Sequence, residues 1–177
     1  MNQKDILEIL KEYVNIDDVT LDKIPNIDLY MDQVTTFIDD SLKQYKRNDE
    51  QKIITKTMIN NYTKDKILSS PNKKKYNKTH LISLILIYHL KSIISINDIS
   101  LILKDNEKKI ECIYDKFLQY KKISEENFYK DVENFLNIIE NNEEDNISLI
   151  IFLINIINEA NERKYLAEKI IDKYLKK

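Results

Sequence analysis

The chain has 177 residues, 42% apolar and 33% charged, with a formal net charge of −2, a single cysteine (Cys112), two histidines and no glycine. This supports one compact domain, or a small domain with an attached helical region, and excludes a glycine-rich phosphate loop. It also excludes a disulfide framework, and the lone thiol points to a reducing, cytoplasmic setting.

Without glycine, a loop-rich β-sandwich is disfavoured, and Asn is expected wherever the backbone needs φ > 0. The N-terminal stretch 1–14 is an acidic amphipathic segment rather than a signal peptide. The longest apolar run, Ile147 to Ile157, falls short of the roughly 20 residues of a membrane span, so no membrane association is expected. Charge is unevenly placed: residues 1–45 carry −6, residues 46–80 carry +7 and residues 81–177 carry −3. Such asymmetry suggests a local anion-binding face.

In chain order, Ile6, Ile9, Leu10, Tyr13 and Val14 recur at helical spacing and predict a helix over 2–14. Pro25 and the Asp/Asn-rich stretch 15–28 form an irregular connection. A second helix is predicted over Tyr30–Tyr45, then a charged loop over Lys46–Lys52. Thr55 caps a helix over 56–64 that buries Met58, Ile59 and Tyr62. Leu68 to Pro71 leaves that helix, and Asn72 to Tyr76 makes a short loop or two-stranded wing. Asn77 or Thr79 caps a helix His80–Ile94, apolar nearly all round and therefore buried on most sides. Asn97 caps a short helix Asp98–Lys104. Three further helices are expected at about 107–121, 125–140 and 147–175, with an acidic turn at 141–146.

Residues 53–104 hold the parts that reading DNA requires. The 56–64 helix exposes Lys56, Thr57, Asn60, Asn61 and Lys64, all able to donate hydrogen bonds to base edges. Lys73, Lys74, Lys75, Tyr76 and Lys78 supply phosphate-contacting groups on the wing. The apolar helix behind them is the scaffold.

These pieces in this order resemble a MerR-like winged helix-turn-helix. The parts that carry the resemblance are Ile59-Asn60-Asn61-Tyr62, Lys66-Ile67-Leu68-Ser69-Ser70-Pro71, Lys75-Tyr76-Asn77-Lys78-Thr79-His80 and Ser95-Ile96-Asn97-Asp98-Ile99. A closer resemblance over residues 24–104 is carried by IPNIDLYMDQVTTFI (24–38), ITKTMINNYTKDK (54–66), KKKY (73–76) and LIYHLKSIISINDI (86–99). It is to the bacterial domain-of-unknown-function family 1836, whose members are uncharacterised MerR-like proteins. The resemblance implies a mainly helical winged helix-turn-helix, binding to double-stranded DNA, and dimerisation through a C-terminal helix. It gives no target. Asn60 stands where many MerR-like proteins carry a DNA-contacting arginine, and the connection between the helices over 30–45 and 55–64 is longer than a tight turn.

Several features have plainer readings. Tyr62 and Tyr76 fit core positions better than DNA contacts. His80 and His89 lie nine residues apart on one helix and face opposite ways, so they do not share a metal. Cys112 reads as a core residue, and neighbouring carboxylates such as Asp39/Asp40 and Glu125/Glu126 diverge by 100° on a helix. No catalytic constellation, metal or cofactor is expected.

The sequence therefore reads as an all-α DNA-binding transcriptional regulator. It would have an N-terminal helix and connection (1–29), a winged helix-turn-helix (30–104) and a C-terminal helical region (105–177) that can pair with a second copy. A protein–protein interaction module, or a small-molecule sensor with an apolar C-terminal pocket, are the alternatives.

Overall fold

The structure is a computed structural model that describes residues 3–48, 50–138 and 146–176. Among these are seven α-helices, α1 (Gln3–Val14), α2 (Met31–Leu42), α3 (Lys56–Lys64), α4 (Lys78–Leu90), α5 (Ile96–Leu103), α6 (Ile110–Ile138) and α7 (Ile147–Tyr174). Two short strands, β1 (Leu29–Tyr30) and β2 (Lys75–Tyr76), form an antiparallel pair. The protein is thus mainly helical with one small sheet. No helix among the described residues is long and apolar enough to cross a membrane. The chain divides into two compact units, Val19–Lys116 with Glu168–Lys177, and Met1–Asp18 with Phe117–Ala167.

The larger unit is built around α4. Its apolar stretch, broken only by Ser83, buries Leu81, Ile82, Leu84, Ile85, Leu86 and Ile87, each contributing roughly 1.5–3 kcal/mol of transfer free energy. Against it pack α2, α5 and β2. Helix α2 presents Val34, Ile38 and Leu42 at four-residue intervals, one stripe of a 3.6-residue period. The long connection 43–55 is fastened to the end of α4, where Lys91 Nζ donates to the Ile53 carbonyl at 2.8 Å and lies 5.2 Å from the Tyr88 ring centroid. Burial holds the Lys91 amine below its ordinary pKa. The Tyr114 hydroxyl donates to the Val19 carbonyl at 2.7 Å, tying the start of α6 to the segment before β1.

The smaller unit packs α1 against α6 and α7 through Leu10, Val132, Leu136 and Phe152. The Phe135 and Phe152 rings meet at 5.8 Å. Gln3 Nε2 donates to the Leu136 carbonyl. Lys121 sits between two carboxylates, 2.9 Å from Asp18 and 2.7 Å from Glu125.

Several sequence expectations need correction. The helices expected at 107–121 and 125–140 are one helix, α6, because residues 121–125 contain no proline or glycine to interrupt it, and the Lys121–Glu125 pair lies along it at i,i+4. Cys112 is exposed rather than in the core, since Ile110 and Tyr114, one turn apart, hold the inward face. Ser95, not Asn97, caps α5, accepting from the Asp98 N–H at 3.1 Å. Helix α4 begins at Lys78 and stops at Leu90, and Ile94 is buried beyond its end. Tyr30 is extended rather than helical: it ends β1 and stands at the N-cap of α2. Asn is not the general substitute for glycine: the positive-φ positions are Lys66, Lys73, Lys74, Asp105 and Asn146. The turn expected at 141–146 lies outside the described residues apart from Asn146.

Candidate nucleic-acid interface

Helix α3 shows both of its faces clearly. Thr55 Oγ1 accepts from the Met58 N–H at 3.2 Å and fixes the start. At the other end the Ile67 N–H donates to the Tyr62 carbonyl at 2.9 Å and the Lys66 N–H to the Thr63 carbonyl at 3.2 Å, with Lys66 at φ 58. This is a Schellman stop with a lysine in the usual glycine position, and its apolar pair is Tyr62 with Ile67. Between these stops Ile59 and Tyr62 are buried. Lys56, Thr57, Asn60, Asn61 and Lys64 are all exposed, and their spacing of 0, 1, 4, 5 and 8 keeps them on one side of the helix.

The lysine loop is a hairpin turn. The Lys75 N–H donates to the Asn72 carbonyl at 2.9 Å, and the two residues between, Lys73 and Lys74, have φ 49 and 63. Two successive positive φ values define the type I′ turn, which normally takes Asn-Gly. Two lysines hold it here, against a cost of about 1–2 kcal/mol per side chain in the left-handed region. The strand after the turn pairs with β1: Leu29 lies opposite Tyr76, and Tyr30 opposite Lys75. Leu29 and Tyr76 face the core on one side. On the other, Lys75 Nζ lies 5.3 Å from the ring centroid of exposed Tyr30, a cation–π contact that steadies the lysine.

His80 joins these parts from beneath. Asn77 Oδ1 accepts from the His80 N–H at 3.2 Å, and His80 Nδ1 accepts from the Asn77 N–H at 3.1 Å, a reciprocal cap. His80 Nδ1 also lies 2.5 Å from Asn77 Oδ1, and Nε2 lies 3.1 Å from Ser69 Oγ, so both ring nitrogens are engaged. The ring stands edge-on to Tyr76 at 5.5 Å. Burial lowers the His80 pKa, so the neutral ring is the resident form at neutral pH.

The ten residues singled out from sequence therefore fall into three groups. Lys64, Lys73 and Lys74 are exposed and carry no ion pair among the described residues, as do the uncharged Thr57, Asn60 and Asn61 on α3. Lys75, half-buried, is held over the Tyr30 ring, Lys56 pairs with Asp32, and half-buried Lys78 pairs with Glu111 at 3.5 Å. Tyr76 is buried in the core and offers no exposed ring. Sequence reasoning missed Tyr30 and Lys66, both exposed beside these groups. Neither a two-residue strand nor a left-handed lysine leaves a periodic signal. Among the described residues, no group of three or more His, Cys, Asp or Glu side chains is placed to hold a metal ion.

These features define a mainly helical protein with an acid-free polar helix face and a lysine hairpin. The chain belongs to the family DUF1836, described as a domain of unknown function, whose model matches residues 19–132. No curated protein and no solved structure matches it.

Proposed function

We propose that this protein is a DNA-binding transcriptional regulator of the MerR-like winged-helix type, with α3 entering the major groove and the 72–75 turn gripping phosphates. The observation that carries the reading is the exposed face of α3. Every group on it is a lysine, threonine or asparagine, and its opposite face is locked into the core. Such a helix presents donors and acceptors to base edges. The β1–β2 pair supports a small wing, and its tip bears the unpaired Lys73 and Lys74. With Asn60 and Asn61 central on α3, adenine edges are the natural bidentate partners, and affinity rests chiefly on the lysines.

The test is a salt-titrated DNA-binding measurement on wild type and Lys73→Ala/Lys74→Ala/Lys75→Ala. Four to six neutralised phosphates give a slope of roughly −4 to −5 in log K against log salt, and the triple variant reduces it by about 2.7. No binding by either protein at low salt returns the fold to the protein–protein interaction reading.

Half-site recognition calls for a second copy, and the outer face of α7 suits it. Ile147, Ile150, Ile151, Ile154 and Ile157 form one stripe on the side opposite buried Ser148 and Phe152, and all five are exposed. Sedimentation of wild type and Ile150→Asp/Ile154→Asp tests this arrangement: a dimer that becomes a monomer supports it, and a monomeric wild type contradicts it.

A further inference from the structure

The smaller unit contains two adjoining cavities whose character changes from one to the next. The first, about 490 Å³, is almost wholly apolar, lined by Ile6, Ile9 and Leu10 of α1, Val132 of α6, and Leu149 and Phe152 of α7. The second, about 540 Å³, is lined by Phe117, Tyr120, Lys121, Ser124, Glu125 and Arg163. Tyr13 and Phe128 line both. Each volume falls in the range of small-molecule sites. One face of α6 runs through the pair, because Phe117, Lys121, Ser124, Phe128 and Val132 follow at intervals of four, three, four and four. From Phe117 to Val132 that face covers about 22 Å at 1.5 Å per residue, near the roughly 20 Å of an extended sixteen-carbon chain.

Charge decides which end of an amphiphile lies where. Lys121 is held by Asp18 and Glu125, so its ammonium is not available to a ligand. Arg163 is the other cation on this wall, is exposed, and has no ion pair among the described residues. A planar guanidinium without a partner matches a carboxylate bidentately. The apolar cavity beyond Tyr13 and Phe128 has no polar group to satisfy such a head and suits only a hydrocarbon tail.

We infer that the smaller unit is a binding site for a single-chain fatty acid, with the tail in the groove between α1, α6 and α7 and the carboxylate beside Arg163. The assignment stands independently of DNA binding. Its direct competitor is a cationic amphiphile, because Asp18 and Glu125 together outweigh Lys121 by one charge.

The full chain is titrated below the critical micelle concentration with a fluorescent sixteen-carbon carboxylate. Hexadecanoate, hexadecanol and hexadecyltrimethylammonium then compete for it. Expected is saturable one-to-one binding that hexadecanoate displaces best. Affinity falls about twofold per methylene removed, about half of the full transfer effect because the groove is open. Arg163→Gln weakens hexadecanoate about threefold to tenfold and leaves hexadecanol unchanged. Ile9→Glu, at a position already 67% exposed and therefore safe for folding, weakens both. Absence of saturable binding, stronger displacement by the quaternary ammonium, or indifference of hexadecanoate to Arg163→Gln each overturns the assignment.

Discussion

Helices α4 and α7 start from the same kind of sequence and meet different fates. Both carry apolar residues around most of their circumference, α4 throughout and α7 over Ile147–Ile157. In α4 the packing of α2, α5 and β2 uses that surface, and Leu81 to Ile87 are buried apart from Ser83. In α7 one side packs on the Leu10–Val132–Leu136 cluster, while the opposite side leaves Ile154 62% exposed. An all-round apolar pattern states that a helix must be covered, and says nothing about what covers it. The first helix is a scaffold completed within its own unit. The second is a surface that still has apolar area to bury, the reason for placing both a second copy and a ligand on the smaller unit.

Substitutions at matched positions test that contrast. The largest effect is expected from Leu84→Ala in α4, fully buried, which should destabilise by about 2–5 kcal/mol through lost transfer energy and the cavity left behind. The same truncation at exposed Ile154 should change monomer stability by less than about 0.5 kcal/mol. Denaturant melts at low protein concentration compare the two, and equal losses would show that the outer face of α7 is packed after all.

A smaller effect of opposite sign is expected at the lysine turn. Lys73→Asn/Lys74→Gly supplies the residues that a type I′ turn prefers and should stabilise by about 1–2 kcal/mol. Removing two charges should weaken DNA binding in the same variant. A gain in stability with unchanged affinity would separate the strain from the proposed function.

The smallest effect concerns His80. Its pKa is lowered in the folded protein from the ordinary 6.5 because burial penalises the charged ring. The unfolded chain therefore takes up the proton first as pH falls. Stability should decline as pH drops through 6.5 toward the lowered folded value, and level off below it. His80→Gln keeps an acceptor at this position of the cap and should remove that dependence. A pH dependence retained in the variant would assign the effect to another group.

What was legible in the sequence was periodic or capped. The inward stripes of α2 and α3 followed from spacing, and Thr55 marked the start of α3 from its type alone, whereas in α1 the expected stripe holds only in part, with Leu10 buried and Ile9 and Tyr13 exposed. The polar face of α3 was readable for the same reason, since burying Ile59 and Tyr62 fixes which side Asn60 and Lys64 occupy. The rest depended on partners distant in sequence. Strand β1 exists because Leu29 and Tyr30 find Tyr76 and Lys75 more than 40 positions away, and two residues have no period. The unity of α6 was legible in principle, since the Lys-Lys-Ile-Ser-Glu stretch 121–125 holds no proline or glycine to end a helix. The ligand groove combines α1 with α6 and α7, so no single stretch displays it. Arg163 has no sequence neighbour that sets it apart from other surface arginines; its place on that wall, with no ion pair among the described residues, does.

The most direct test of the central claim, that α3 and the lysine turn together bind DNA, is a fluorescence anisotropy titration of the full chain with a labelled duplex between about 50 and 200 mM salt. Binding whose logarithm falls with log salt at a slope of about −4 to −5, and by about 2.7 less in the Lys73/Lys74/Lys75→Ala variant, is the predicted result. No association at the lowest salt, or a slope unmoved by the triple substitution, would contradict it.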